Sequence, residues 1–176
     1  AIDRDVINDV VFEGTHPPSM QPFPPASPYF MKELTVTKRD IPKAKALLKE
    51  AGVERVKLDI MVTNNPVDAQ LGQVVQAMAS EAGFDISLRS SEFASQLRDQ
   101  QQGKFQVSRV GWSGRVDPDG NIHQFVHSTG SQNDGKFKNA RIDELLDKAR
   151  TVYDVAERKK LYDEVQTIMQ DEMPLI

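Results

Sequence analysis

The feature that most restricts the fold is a repeated junction, a helix closed by Glu-Ala-Gly and followed at once by a strand-like run. It occurs at residues 50–52 and again at 81–83. Before the first, Ala44, Leu47, Leu48 and Ala51 recur at helical spacing and predict a buried face. Asp40 stands where a helix is capped, and Pro42 sits in the first turn. Gly52 supplies the left-handed residue that ends helices. Residues 56–62 then alternate before turning continuously apolar, as a strand does on entering a covered sheet. At the second junction Leu71, Val74, Val75, Met78 and Ala82 form the helical stripe, and Phe84, Ile86 and Leu88 alternate after Gly83. A third unit follows, with a helix over 92–102, Gly103 as cap and a strand over 105–110. Helix-to-strand units in series imply parallel strands joined by right-handed crossovers. The expected class is α/β, a mixed, largely parallel sheet flanked by helices.

The rest of the chain is read in the same way. Asp3 caps an opening helix that carries Val6, Ile7, Val10 and Val11. Residues 13–39 form a proline-rich loop, with prolines at 17, 18, 22, 24, 25 and 28 that forbid a regular element. The same stretch holds Met20, Phe23, Tyr29 and Phe30, which predicts packing over the domain and not a free linker. A short helix is expected over 122–126 and a polar loop over 128–138. Two helices finish the chain. The first carries Ile142, Leu145, Leu146 and Ala149. The second opens on Asp154 and Glu157 at capping-box spacing and is expected to bury Leu161, Val165 and Ile168. Met173-Pro174-Leu175-Ile176 reads as an apolar segment entering a strand. A length of 176 residues fits one domain, 1–176. Its ends, opening directly on structure and closing on apolar residues, suggest a piece of a larger protein.

Composition excludes several function classes. A net charge of −4 lacks the footprint of a nucleic-acid binder. The absence of cysteine excludes disulfides, thiolate metal sites and a cysteine nucleophile. No apolar run approaches the ~20 residues that span a bilayer. Ala1-Ile2-Asp3-Arg4 has neither the basic start nor the apolar stretch of a signal peptide.

Chemistry is most concentrated in residues 111–121, which follow the third strand. In open α/β sheets ligands bind beyond the carboxyl ends of strands. Trp112, the only tryptophan, could stack on a ligand. Arg115 carries a fork suited to a carboxylate. Gly111 and Gly114 let backbone approach closely, with Ser113 between them and the tryptophan. Asp117 and Asp119 could accept from an ammonium group or hold local turns. A structural reading stands beside this one, with Trp112 in the core and Arg115 paired to a nearby aspartate. Enzyme motifs fail. Glycine follows Ser113 directly, so there is no G-x-S-x-G elbow. No phosphate loop exists. His123 and His127 have zinc-compatible spacing but no H-E-x-x-H, and read as surface or turn histidines. Residues 117–121 echo a calcium loop, but Pro118 and the missing closing glutamate oppose it. No metal and no cofactor is assigned.

Several ordered motifs resemble one family, the family 5 extracellular solute-binding proteins that serve peptide, nickel and opine ABC importers. Ala1-Ile2-Asp3-Arg4 resembles its "AIDR" helix, and residues 44–52 resemble its "AKALLAEAG" segment. Gly111-Trp112 with Asp117-Pro118-Asp119 resembles "GW…DPD". Asn133, Asn139 and Asp143-Glu144-Leu145-Leu146 are similar to "N…N…D-x-L-L", and residues 173–176 to its "PLI" strand. The resemblance implies one lobe of a type II periplasmic-binding-protein-like fold, the C-terminal lobe of a two-lobed receptor whose N-terminal lobe is missing here. It implies a periplasmic protein or extracytoplasmic lipoprotein and an ABC permease as membrane partner. It also implies noncovalent capture of a small solute, with Gly111, Trp112, Ser113, Gly114, Arg115 and Asp117 at the ligand. In peptide-binding relatives an aspartate three residues after the motif tryptophan holds the ligand's ammonium group. Arg115 occupies that position here and inverts the charge, which opposes the simple dipeptide or oligopeptide mode. The expected solute is peptide-like or other, with an anionic group near Arg115 such as the carboxylate of a modified peptide or opine-like molecule. Two rival readings are a small α/β hydrolase or transferase using Asp117, Asp119 and a histidine, and a protein-interaction domain.

Overall fold

In the computed structural model, which describes all 176 residues, the parallel sheet expected from the two Glu-Ala-Gly junctions is present. The chain divides into two compact units, residues 1–18 with 36–111 and residues 19–35 with 112–176.

The first unit contains α1 (Arg4–Phe12), α2 (Ile41–Glu50), β1 (Val56–Thr63), α3 (Pro66–Glu81), β2 (Phe84–Ser91), α4 (Phe93–Gln101) and β3 (Val107–Ser108). The strand order is β2-β1-β3. β1 pairs in parallel with β2 along its whole length, from Val56 opposite Phe84 to Thr63 opposite Ser91. Its first half is partly exposed and its last four residues are buried, as the switch from alternating to continuous apolarity requires. The core joins Ile60, Val62, Ala79 and Ile86, with Leu58, Val75, Leu88 and Val107 packed around them. Gly83 is needed at the second junction, because its φ is +100° and a Cβ there would lie 2.8 Å from Leu48 Cδ1.

Two expectations for this unit need correction. The third strand shrinks from six residues to Val107–Ser108, opposite Ile60 and Met61. The reason lies in Gln106, whose side-chain Oε1 accepts from the Asp59 N–H at 2.6 Å and so takes up a backbone donor on β1. The stripe of α2 is not buried either: no residue of the helix is buried, and Leu47 is 55% exposed. Helical spacing marks an apolar face, whereas burial depends on what packs against it.

The second unit contains α5 (Asp119–Val126), α6 (Ala140–Ala149) and α7 (Val155–Glu172), with the proline-rich residues 19–35. Phe23 and Tyr29 from that segment lie in its core with Ile122, Val126, Ile142, Leu145, Leu146, Tyr162 and Val165. Tyr162 presents ring edges to Phe23 and Tyr29 at 5.5 and 5.3 Å, and burial pushes its hydroxyl pKa up to about 12. The segment has no regular hydrogen bonding, so side-chain amides hold it. Gln21 donates to the Met31 carbonyl and accepts from the Met31 N–H. Gln166 donates to the Tyr29 carbonyl, and Gln170 to that of Met20.

Asp154 caps α7 by accepting from the Glu157 N–H, but the buried face falls on Tyr162, Val165, Gln166 and Met169, with Leu161 and Ile168 only partly covered. α5 begins three residues earlier than expected, with Pro118 at its cap and Asp119 in its first turn. The last residues form no strand. α7 runs to Glu172, and Met173 turns the chain with a left-handed φ of 46°.

Candidate ligand-binding site

Thr63 ends β1, and the chain turns directly into α3 through Asn65, which caps the helix by accepting from the Asp68 N–H. The Asp68 side chain is folded back and 3% exposed. It accepts from the Thr63 hydroxyl, from Asn65 Nδ2 at 2.9 Å, and pairs with Arg109 Nη1 at 2.9 Å. Arg109 follows β3, and its backbone N–H extends the ladder to the Met61 carbonyl. Gln96, buried on α4, fixes the same backbone by donating to the Arg109 carbonyl at 2.7 Å. These residues border a cleft of about 300 Å³ at the carboxyl ends of β1 and β3, lined further by Asn64, Phe93, Val110 and Gly111. Gly111 leaves room for the guanidinium: a Cβ there would lie 3.3 Å from Arg109 Nη1. The cleft therefore combines one half-exposed, rigidly seated guanidinium with apolar Phe93 and Val110, both exposed. Sequence reasoning missed Arg109, Asn64 and Phe93. The rule that ligands gather at carboxyl strand ends points to Thr63 and Arg109 as well as to residues 111–121, but no local spacing shows that these two ends meet.

Gly111 closes the first unit; Trp112, Ser113, Gly114, Arg115 and Asp117 belong to the second. All six are exposed. Trp112 is 40% exposed, with its ring edge-on to Phe125 at 5.1 Å, so it is anchored without being buried. Arg115 stacks its guanidinium over the Trp112 ring at 4.6 Å and donates to the Ser113 carbonyl. Its backbone is locked by Asn121, which accepts from the Arg115 N–H and donates to the Arg115 carbonyl, each at 2.7 Å. The aspartates that might have neutralised Arg115 are engaged elsewhere. Asp117 forms a two-pronged pair with Arg158 at 3.0 and 3.1 Å. Asp119 forms another with Arg150 at 2.8 and 2.9 Å. The Arg158 bonds hold the Asp117 carboxyl below its ordinary range, against the opposing effect of burial. The loop thus presents a tryptophan face and a cation that no carboxylate neutralises.

His123 and His127 do not sit on the surface. They are 8% and 7% exposed, stacked with ring centroids 4.3 Å apart, because α5 turns this face towards α6. Burial, then Arg150 and His127, lower the pKa of His123. With Asp117 and Asp119 each held by an arginine, no carboxylate of this loop is free for acid–base work.

The profile of the bacterial extracellular solute-binding proteins, family 5 Middle, matches residues 1–133. The chain belongs to family 5 of the bacterial extracellular solute-binding proteins. Di/tripeptide-binding protein 4 of Pseudomonas aeruginosa is 30% identical over 178 residues, covering 96% of this chain and 33% of that protein. Heme-binding protein A of Haemophilus influenzae is 28% identical, covering 100% of the chain and 34% of that protein. The chain therefore spans about a third of the length of these curated relatives. Among solved structures, the ABC transporter-associated periplasmic binding protein DppA from Helicobacter pylori, in complex with the peptide STSA, superposes with a TM-score of 0.88 at 30% identity. That match covers 98% of this chain and 35% of DppA. The fold is that of the periplasmic binding proteins, and these family 5 relatives are binding proteins rather than enzymes. No helix of the chain is long and apolar enough to cross a membrane.

Proposed function

We propose that this family 5 chain captures a small solute noncovalently, as the C-terminal lobe of a two-lobed receptor that delivers it to an ABC permease. The observation that carries this reading is the chemistry of the exposed loop. Arg115 is stacked on Trp112 and lacks a carboxylate partner, while both nearby aspartates are bound to other arginines. An exposed guanidinium backed by an aromatic ring is a receptor for a carboxylate. Within the first unit, taken by itself, the cleft at the carboxyl ends of β1 and β3 holds a seated guanidinium, Arg109, beside apolar surface. We assign the solute to peptide-like molecules bearing a carboxylate, in keeping with the di/tripeptide-binding name of one relative. Gly111, Trp112, Ser113, Gly114 and Arg115 are the residues we assign to contact with the solute, and Asp117 positions their loop. A location outside the cytoplasmic membrane, in the periplasm or as a lipoprotein, accords with the family's extracellular description.

The test is calorimetric titration of the assembled receptor with di- and tripeptides. Arg115→Ala should weaken binding by at least ~1 kcal/mol, the scale of one charge-assisted hydrogen bond. Unchanged affinity would remove Arg115 from the site.

A further inference from the structure

The second unit carries a cluster of metal-ligating side chains that solute capture does not use. His123 lies in the last turn of α5 and His127 is its C-cap residue, so four-residue spacing sets both rings on one side. Asp143 and Asp147, one turn apart on α6, face them. His127 Nε2 lies 3.5 Å from Asp147 Oδ1 and 3.8 Å from Asp143 Oδ1, and His123 Nε2 lies 3.9 Å from Asp147 Oδ1. One ligand atom each from His123, His127 and Asp147 falls within 4.8 Å of the others. Both histidines are more than nine-tenths buried, and neither Nε2 has a hydrogen-bond partner. Buried polar atoms are nearly always paired, so two orphaned nitrogens beside a carboxylate point to something that completes them.

We propose that His123, His127 and Asp147 bind a divalent transition-metal ion of the zinc type, tying α5 to α6. Two imidazoles and one carboxylate are a zinc donor set, with a fourth position left for water. Hard cations such as calcium prefer all-oxygen cages and do not fit it. The Asp147 side chain is 65% exposed and opens the cluster to solvent.

The surroundings hold the ligands in place. The His127 carbonyl accepts from the Gly130 N–H at 2.8 Å and from Asn133 Nδ2 at 3.1 Å. Only glycine lets this loop close, since a Cβ at Gly130 would lie 2.5 Å from the Gln124 carbonyl oxygen. The Thr129 hydroxyl stands 2.8 Å from His127 Nδ1. It accepts from Nδ1–H in the tautomer that leaves the Nε2 lone pair for a metal, the usual support of a ligating histidine. The Thr129 backbone N–H also reaches Nδ1, at 3.1 Å, and must give way in that state. The rings stack in parallel to within 10°, with centroids 4.3 Å apart. Metal binding would require rotation about χ2, a soft torsion in histidine, to bring both Nε2 atoms onto one centre.

The experiment titrates zinc chloride into the purified protein by calorimetry and follows the imidazole nitrogens by NMR. The expected result is saturation at one ion per chain, with His123 and His127 resonances shifting and His16 unmoved. Asp147→Asn, at an exposed position that leaves packing intact, should weaken zinc binding by at least ~10-fold, and His16→Gln should leave it unchanged. Cobalt(II) in place of zinc should give the intense visible bands of four-coordination. Absence of saturable binding, undiminished affinity in Asp147→Asn, or shifts confined to His16 would overturn the assignment.

Discussion

At the scale of single residues, the site is decided by which arginine meets which aspartate. Arg158 and Arg150 claim Asp117 and Asp119, and that leaves Arg115 to the ring of Trp112. The Asp117 side chain is 61% exposed, so its pair is worth little to stability, about 0.5–1 kcal/mol after solvent screening. Its sign with pH is fixed. The folded-state pKa is lowered, so the contribution is present above the unfolded value and lost as pH falls through the folded one. Asp117→Asn should therefore be slightly less stable than the parent at pH 7 in urea denaturation. The gap should close as pH falls below ~3.9 and the parent's own carboxylate takes up a proton. A gap that persists unchanged at pH 2 would show that the pair contributes nothing through charge. The residue types of this loop were legible in the sequence, and so was its place after a strand. The pairings were not. Arg158 stands 41 residues from Asp117 and Arg150 stands 31 from Asp119, and no local spacing announces contacts of that range. The burial of His123 and His127 was missed for a related reason. Their spacing showed a shared helix face, but the partner carrying Asp143 and Asp147 lies on α6.

At the scale of elements, periodicity located the helices and the two long strands well, because each is written in local spacing. It could not say which apolar faces are covered. Residues 19–35 show no periodicity, but their aromatic residues predict packing, and Phe23, 2% exposed, does lie in the core of the second unit. α2 has the cleaner apolar stripe, yet Leu47 is largely exposed. Stability should follow burial and not helical spacing. Phe23→Ala should cost about 3–5 kcal/mol, as loss of a buried aromatic ring does. Leu47→Ala should change stability by less than ~0.5 kcal/mol. Chemical denaturation of the two variants measures both. Equal effects would mean that the proline-rich segment does not belong to the core. β3 shows the opposite limit of pattern reading. Its apolar run is real, but one side-chain amide, Gln106, replaces a ladder bond and shortens the strand.

At the scale of the whole molecule, the parallel sheet followed from two Glu-Ala-Gly junctions, and family membership from an ordered set of short motifs. The chain matches its relatives almost end to end while covering only about a third of each. The proposed function is capture without chemistry, in which a carboxylate-bearing solute would be held by exposed guanidinium and aromatic groups and released unchanged. Native mass spectrometry of the assembled receptor, purified from its own cells, tests this most directly. Noncovalent capture predicts a complex heavier than the polypeptide by one small organic acid, which is recovered intact on denaturation. A receptor that retains only a solute without an acidic group, or that converts the solute it is given, would contradict it.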